Sequence, residues 1–421
     1  MKRLETWWVI SLILSVFGFL KELRPSEPYI FEFLTGEWRN ITADVVTQQV
    51  YPVGTYSYLA QLIVVFLITD LCRYKPLIIV LALSGIVIWS MLLWTSGLVE
   101  LKILEVFYGT FMATEVVYYS YIYAKVKNEY YEKVTSYARA AVLAGRFVSS
   151  VLAQLLISFK IMDYRQLNYI TFAAMLGAFL WSLLIPSVET SIYFHTGAKA
   201  KLSFRKKAEA ACELLKTHFT ESFSQTYVVK WSLWWSLATS AFIQVQNYMQ
   251  PLWKEIGDNG DTYNGVVEAL LTIMGCVGAL LVGYLKVDWT NKGELLLSIC
   301  SMVSATFIII SSQATSVILS YVCYVLYGGF YHCMITIASM EIAKKIPTDS
   351  YGLVFGINTF LALLVSTLLT MVFVTGTMGW SLAIRDQHLV YGFYNIVITV
   401  IFIIIGTISW YRSRRDITRR Y

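Results

Sequence analysis

Apolar runs of about 20 residues recur from one end of this 421-residue chain to the other, and that recurrence leaves little freedom of fold. A run of that length spans roughly 30 Å of hydrocarbon as an α-helix. In lipid the backbone must satisfy its own hydrogen bonds, so only helices and closed barrels can cross. Composition agrees: 57% of residues are hydrophobic and 14% charged, with mean hydropathy +0.60, outside the range of soluble domains. The chain reads as an all-α membrane protein. Twelve transmembrane helices are expected, near 6–26, 51–70, 76–96, 103–124, 135–159, 166–186, 229–252, 264–285, 294–312, 315–341, 353–376 and 388–411. The first run, Trp7 to Leu20, continues toward Pro28 without a small-residue cleavage site and is read as a retained helix.

The expected organisation is a six-helix half over 1–186, a cytoplasmic linker over 187–228, a second six-helix half over 229–411 and a basic tail over 412–421. Two six-helix halves joined by a long basic connector are the plan of the major facilitator superfamily. Of the 33 lysines and arginines, 22 fall on the side of the termini, 8 on the opposite side and 3 (Arg139, Arg146, Lys230) within helices. The positive-inside rule therefore places both termini in the cytosol, which accounts for the net charge of +6 without any nucleic-acid partner. Asn40-Ile41-Thr42 is a glycosylation sequon on the opposite side, where modification of Asn40 requires it, and a plasma-membrane location follows. In the linker, Ala208, Ala211, Leu214, Leu215 and Phe219 recur at helical spacing against a charged face carrying Arg205, Lys206, Lys207 and Lys216, beyond Lys199 and Lys201. Such a helix lies on the inner membrane surface. Arg412, Arg414, Arg415, Arg419 and Arg420 would hold the last helix to anionic lipid. The partners so far are the bilayer and a small solute, with the chain acting as a monomer.

Enzyme chemistry finds no support. The six cysteines are scattered, with no disulfide framework or metal site. His195, His218, His332 and His388 are dispersed, and there is neither an H-E-x-x-H motif nor an aspartate-rich cluster. No cofactor is implied, and His332 reads as an interior residue.

Carboxylates inside the spans are more informative. Glu115 lies near the middle of the otherwise uncharged stretch Val106 to Ala124, where an acid costs roughly 2.5 to 3.5 kcal/mol on insertion scales. A cationic substrate, a coupling proton or a fixed basic partner would offset that cost, and Arg146 in the fifth helix is the candidate for the last. Tyr118 and Tyr119 share its face at i+3 and i+4. Glu27 sits in Arg24-Pro25-Ser26-Glu27-Pro28, where two prolines must break or bend the first helix. Glu268 follows Tyr263-Asn264-Gly265 in the eighth. Acids flanked by aromatics suit a flat organic cation, which needs charge neutralisation and ring faces to stack on. Asp70 is expected to pair with Arg139 as part of an inward gate, while Glu105 and Glu341 are expected near helix ends within reach of water.

Several strings carry a family resemblance: Arg24-Pro25-Ser26-Glu27-Pro28, Thr55-Tyr56-Ser57-Tyr58-Leu59, Asp70 with Arg73-Tyr74-Lys75-Pro76, Trp231-Ser232-Leu233-Trp234-Trp235, Tyr263-Asn264-Gly265 and Leu353-Val354-Phe355-Gly356-Ile357-Asn358-Thr359-Phe360. From the first helix to the twelfth the chain resembles the reduced folate carrier and thiamine transporter family, solute carrier family 19. The folate branch has basic residues where this chain has Glu115, Gly328 and Ser366, and a folate's carboxylates would be desolvated here without compensation. The thiamine branch has glutamate at the position of Glu115. The resemblance thus implies a vitamin carrier working by alternating access, with thiamine the leading substrate and reduced folate or pyridoxine the alternatives. It implies that Glu115 bonds the aminopyrimidine and that Tyr118 and Tyr51 enclose a ring. Glu27, Asn247 and Glu268 would contact the cationic end, and Tyr391 would close the pocket. The buried acids are also where a proton could be exchanged for substrate. Two positions depart from the branch: Gly54 stands where it has tryptophan, and Arg146 where its human-type members have an uncharged residue.

Overall fold

A helix stands at each of the twelve expected places in the computed structural model, which describes residues 6–188, 204–257, 262–284, 289, 293–347, 350–375 and 379–418. These are α1 (Thr6–Glu22), α2 (Tyr51–Thr69), α3 (Lys75–Trp94), α4 (Leu98–Lys125), α5 (Tyr131–Ser158), α6 (Tyr164–Ser182), α7 (Thr226–Ile256), α8 (Asn264–Tyr284), α9 (Gly293–Gln313), α10 (Val317–Ala343), α11 (Tyr351–Leu369) and α12 (Ile384–Thr418). A further helix, Phe204–Phe223, follows the amphipathic pattern of the linker. There is no strand among the described residues. Lys199, Lys201, Arg419 and Arg420, and the side chains of Lys207, Ala208, Arg412, Arg414 and Arg415, lie outside them.

Local chemistry accounts for several boundaries. Pro76 sits in the first turn of α3, where a missing N–H costs nothing, and Pro52 follows the single π turn Val46–Val50 that runs into α2. Asp163 accepts from the Gln166 backbone and Gln166 answers in kind, a reciprocal cap that starts α6. The first helix ends at Glu22 rather than near 26: the prolines divert it into a tight turn, Glu27–Tyr29, and a short helix, Ile30–Thr35.

Among the described residues, eight of the helices are long and apolar enough to cross a membrane. Helix α1 falls short because it stops at Glu22. Polar residues dilute the other three: Glu100, Lys102, Glu105 and Glu115 in α4, Arg165, Gln166 and Asn168 in α6, and Gln244, Gln246, Asn247 and Gln250 in α7. Two expectations need correcting here. Because α4 begins at Leu98, Glu105 is carried into the bundle and is 9% exposed. Glu341 is buried as well, held by Lys344 and the Tyr227 hydroxyl, each at 2.5 Å.

One apolar core is built from residues 10–188 with Leu363 of α11 joining it, and two more from residues 228–402. Across that division α5 packs on α8 and α2 on α11. Gly265 permits the first approach, since a Cβ there would lie 2.7 Å from the Ser150 carbonyl oxygen. Gly265→Leu should force α5 and α8 apart at a cost of about 1–3 kcal/mol. The check is a lowered unfolding midpoint in detergent, with Gly265→Ala intermediate.

The two ends of the bundle differ. At the end nearest the termini, Trp7 stacks on Tyr130 with centroids 4.9 Å apart, and Lys230 bonds Glu294 and Ser409, each at 2.6 Å. The distal end carries the broken part of α1 and the turns after α5 and α7.

Candidate functional site

The break in α1 leaves Lys21, Glu22, Arg24 and Glu27 inside the bundle, where each must find a partner or bear the full cost of burial. They do so in one connected cluster. Glu22, with a side chain 1% exposed, receives Lys21 Nζ at 2.6 Å, Arg24 Nη2 at 2.9 Å and Arg146 Nη2 at 3.1 Å. Lys21 Nζ also reaches Glu115 Oε1 at 2.6 Å, and Arg24 Nη1 reaches Glu27 Oε1 at 2.5 Å. Three cations therefore meet three carboxylates. The buried members bind the cluster together, while Glu115, Glu27 and Arg146 present side chains that are 22%, 35% and 38% exposed.

This answers the question left open by Glu115 and corrects the pairing considered for it. Its basic partner is Lys21, and Arg146 serves Glu22. Helix packing is the reason: α5 lies directly on α1, with Gly145 against the Phe19 backbone, so Arg146 meets Glu22. Tyr118 is fully buried, donates to the Leu14 carbonyl at 2.8 Å and lies beneath Lys21, whose Nζ is 5.7 Å from the ring centroid. Its neighbour Tyr119 is the partly accessible ring.

Glu105 has the opposite character to Glu115. It faces Gly54, where a Cβ would collide with its carboxylate, so the departure at Gly54 is filled by the acid. Tyr51, Tyr108 and Tyr248 are its phenolic neighbours. No hydrogen bond or ion pair reaches it among the described residues. Glu268 on α8 accepts from the Tyr324 hydroxyl at 3.1 Å, with Arg146 and Glu27 as charged neighbours and no ion pair among the described residues.

Of the other expected site residues, Tyr51 lies between Phe31 and Tyr248, at 6.5 and 6.1 Å between centroids. Asn247 is exposed on α7. Tyr391 is fully buried and donates to Gln244 Oε1 at 3.2 Å, and Gln244 is itself tied to Ser366 and Thr370. Asp70 accepts from the Tyr74 hydroxyl at 3.2 Å, and Arg139 is exposed. Asn40 is exposed at the distal end. His332 is half-buried beside the Phe242 and Tyr331 rings.

The distal end is sealed by groups that sequence reading missed. Gln250 donates to the Glu27 carbonyl at 3.0 Å and accepts from the Phe31 amide at 3.2 Å. Asn264 donates to the Pro28 carbonyl at 3.0 Å. Gln154 accepts from the Tyr29 hydroxyl at 2.6 Å and the Val266 amide at 3.2 Å, and donates to the Thr262 carbonyl at 3.2 Å. Carbonyls of the turn that follows the prolines thus accept from amide side chains of α7 and α8. Hydrogen bonds joining residues 6–188 to residues 226–411 gather at this end among the described residues. The two prolines were the readable signal; which residues would answer them was not.

Comparison with known proteins places this arrangement. The family model for the reduced folate carrier matches residues 5–210 and 196–390. Thiamine transporter 2 of Homo sapiens is 36% identical over 464 residues, covering 98% of this chain and 93% of that protein. Folate transporter 1 of Caenorhabditis elegans is 36% identical over 429 residues, covering 96% and 93%. Among solved structures, a POT family transporter in complex with 5-aminolevulinic acid superposes with TM-score 0.68 at 13% identity, over 94% of this chain and 96% of that one. The D-xylose-proton symporter gives 0.65 at 12% identity, over 94% and 97%. At such identities the likeness is one of fold, that of the major facilitator transporters. With a family model matching both parts of the sequence and relatives of this identity along nearly its whole length, the chain belongs to the reduced folate carrier family of multi-pass membrane transporters.

Proposed function

We propose that this transporter carries a small organic cation, thiamine first, across the plasma membrane by alternating access with both termini in the cytosol. The observation that carries the reading is the distribution of uncompensated charge. The cluster around Glu22 is balanced, whereas Glu105 and Glu268 bear carboxylates in no ion pair among the described residues. A cation entering the bundle finds two carboxyl groups with no basic partner among the described residues. A folate dianion finds the accessible cation of that cluster, Arg146, already engaged with Glu22.

Glu105 and Glu268 then receive the positive charge, Tyr51 and Tyr108 flank the ring, and Glu27, Glu115 and Asn247 supply polar contacts. Tyr391 acts through Gln244. Three of the eight basic residues assigned to the outer side, Lys21, Arg24 and Arg39, are buried, which strengthens the charge bias behind the topology. In that topology the sealed distal end faces outward and Asn40 is available for glycosylation. Folate is the second reading, favoured by the equal identity to the worm folate transporter and by the exposed part of Arg146.

Labelled uptake of thiamine, reduced folate and pyridoxine by cells expressing the chain decides between them. Thiamine should accumulate, and Glu115→Gln should retain measurable uptake because Lys21 still has Glu22. Folate uptake with no thiamine uptake would sink the cation reading.

A further inference from the structure

A second place in the molecule holds a carboxylate without a partner, away from the central cluster. On the distal face a cavity of about 700 Å³ opens between the short helix after the α1 break and the turn joining α5 to α6; Glu32, Glu37, Trp38, Lys160, Asp163 and Tyr164 are among its lining residues. That volume is within the range of small-molecule sites. Glu32 is 8% exposed, and its Oε2 is buried with no hydrogen-bond partner among the described residues. Its charged neighbour Lys254 bonds the Thr35 hydroxyl and lies over the Phe31 ring, 5.6 Å from the centroid, without forming an ion pair to Glu32. A buried carboxylate left this way is costly unless a cation completes it.

We infer that this cavity is a vestibular capture site for a small organic cation of the transported class, with Glu32 as its charge-matching group. The identification of the class rests on the cation reading proposed above. Acids outnumber bases on the walls, three to the single Lys160. Asp163 is committed to capping α6, accepting the Gln166 amide at 2.7 Å, which leaves Glu32 and the exposed Glu37 for a ligand. A metal ion is a poor occupant: among the described residues no three acid, histidine or cysteine side chains come together. Acids spaced apart and interleaved with rings suit an extended organic cation instead. Trp38 already carries one cation, the Arg165 guanidinium, 4.9 Å over its ring.

The position gives the site a use. Tyr164 lines the cavity and also stacks on Tyr29, with centroids 5.2 Å apart, and its hydroxyl meets that of Thr262 at 3.2 Å. Tyr29 and Thr262 both belong to the seal through Gln154. A captured cation would therefore rest against the closed end of the bundle, ready to enter when it opens.

The test titrates purified full-length Glu105→Gln/Glu268→Gln protein, in which both unpaired carboxyls of the central site are neutralised, with thiamine by calorimetry. Weak residual binding is expected, lost when Glu32→Gln is added and kept when Glu209→Gln on the exposed linker helix is added instead. In cells, Glu32→Gln alone should raise the half-saturating thiamine concentration about threefold, the scale of a partly screened ion pair. Thermal unfolding run alongside should find Glu32→Gln as stable as the parent, since an amide replaces an unpartnered buried charge. Residual binding indifferent to Glu32→Gln, or none at all, overturns the vestibular site. A wild-type chain that neither binds nor accumulates thiamine overturns the thiamine reading instead. The same titration with choline then decides the vestibule by whether binding depends on Glu32.

Discussion

Glu22→Gln should be the most damaging single substitution in the central cluster, lowering the yield of folded protein and the unfolding midpoint in detergent. Glu22 takes Lys21, Arg24 and Arg146 at 2.6, 2.9 and 3.1 Å. Its loss would leave three cations facing only Glu115 and Glu27. Breaking a buried ion pair by removing one partner costs about 3–5 kcal/mol, because the remaining charge is stranded. Adding Arg146→Gln should recover much of the loss, since Lys21 keeps Glu115 and Arg24 keeps Glu27. A Glu22→Gln protein as stable as the parent would show that the cluster's balance does not hold the fold, as would a double variant worse than the single one.

Glu105→Gln is expected to act on transport instead of stability. The carboxylate is 9% exposed and in no ion pair among the described residues, so replacing it with an amide relieves a burial cost in the empty protein and removes a charge partner only when a cation is bound. Truncating one side of a desolvated charge pair typically costs 2–5 kcal/mol or more. Thiamine affinity should therefore fall about 30-fold at least, with the unfolding midpoint unchanged or raised. The measurement is thiamine binding to the purified protein beside its thermal unfolding. Unchanged affinity would move the cation site elsewhere, and a lowered midpoint would mean that the acid serves the fold.

The contrast between Glu105 and Glu115 marks the limit of what could be read in advance. Both are glutamates on α4, and hydropathy favoured Glu115, which sits deeper in its apolar stretch, while Glu105 looked close enough to a helix end to reach water. Depth along a helix says nothing about what stands opposite. Lys21, just past the apolar run of α1, turned out to neutralise Glu115, and Gly54 on α2 left the space that Glu105 occupies. The prolines of α1 were legible as a break, and the break is there. Its partners, Gln250 and Asn264, carried no local signal, because an amide on a distant helix is an ordinary polar residue until packing brings it to the carbonyls of the broken segment.

The sequence by itself determined that this chain is a helical membrane protein, where its helices lie and which family it belongs to. Those properties are written in contiguous stretches, since a helix in lipid must satisfy its own backbone and show an apolar surface over its own length. Which acid is matched and which is free was decided only by the tertiary structure. Glu115 and its lysine are 94 residues apart, and Glu22 and Arg146 are 124 apart. Charge compensation depends on distance in space, weakening in inverse proportion to it, and only the packing of α1 against α4 and α5 sets those distances.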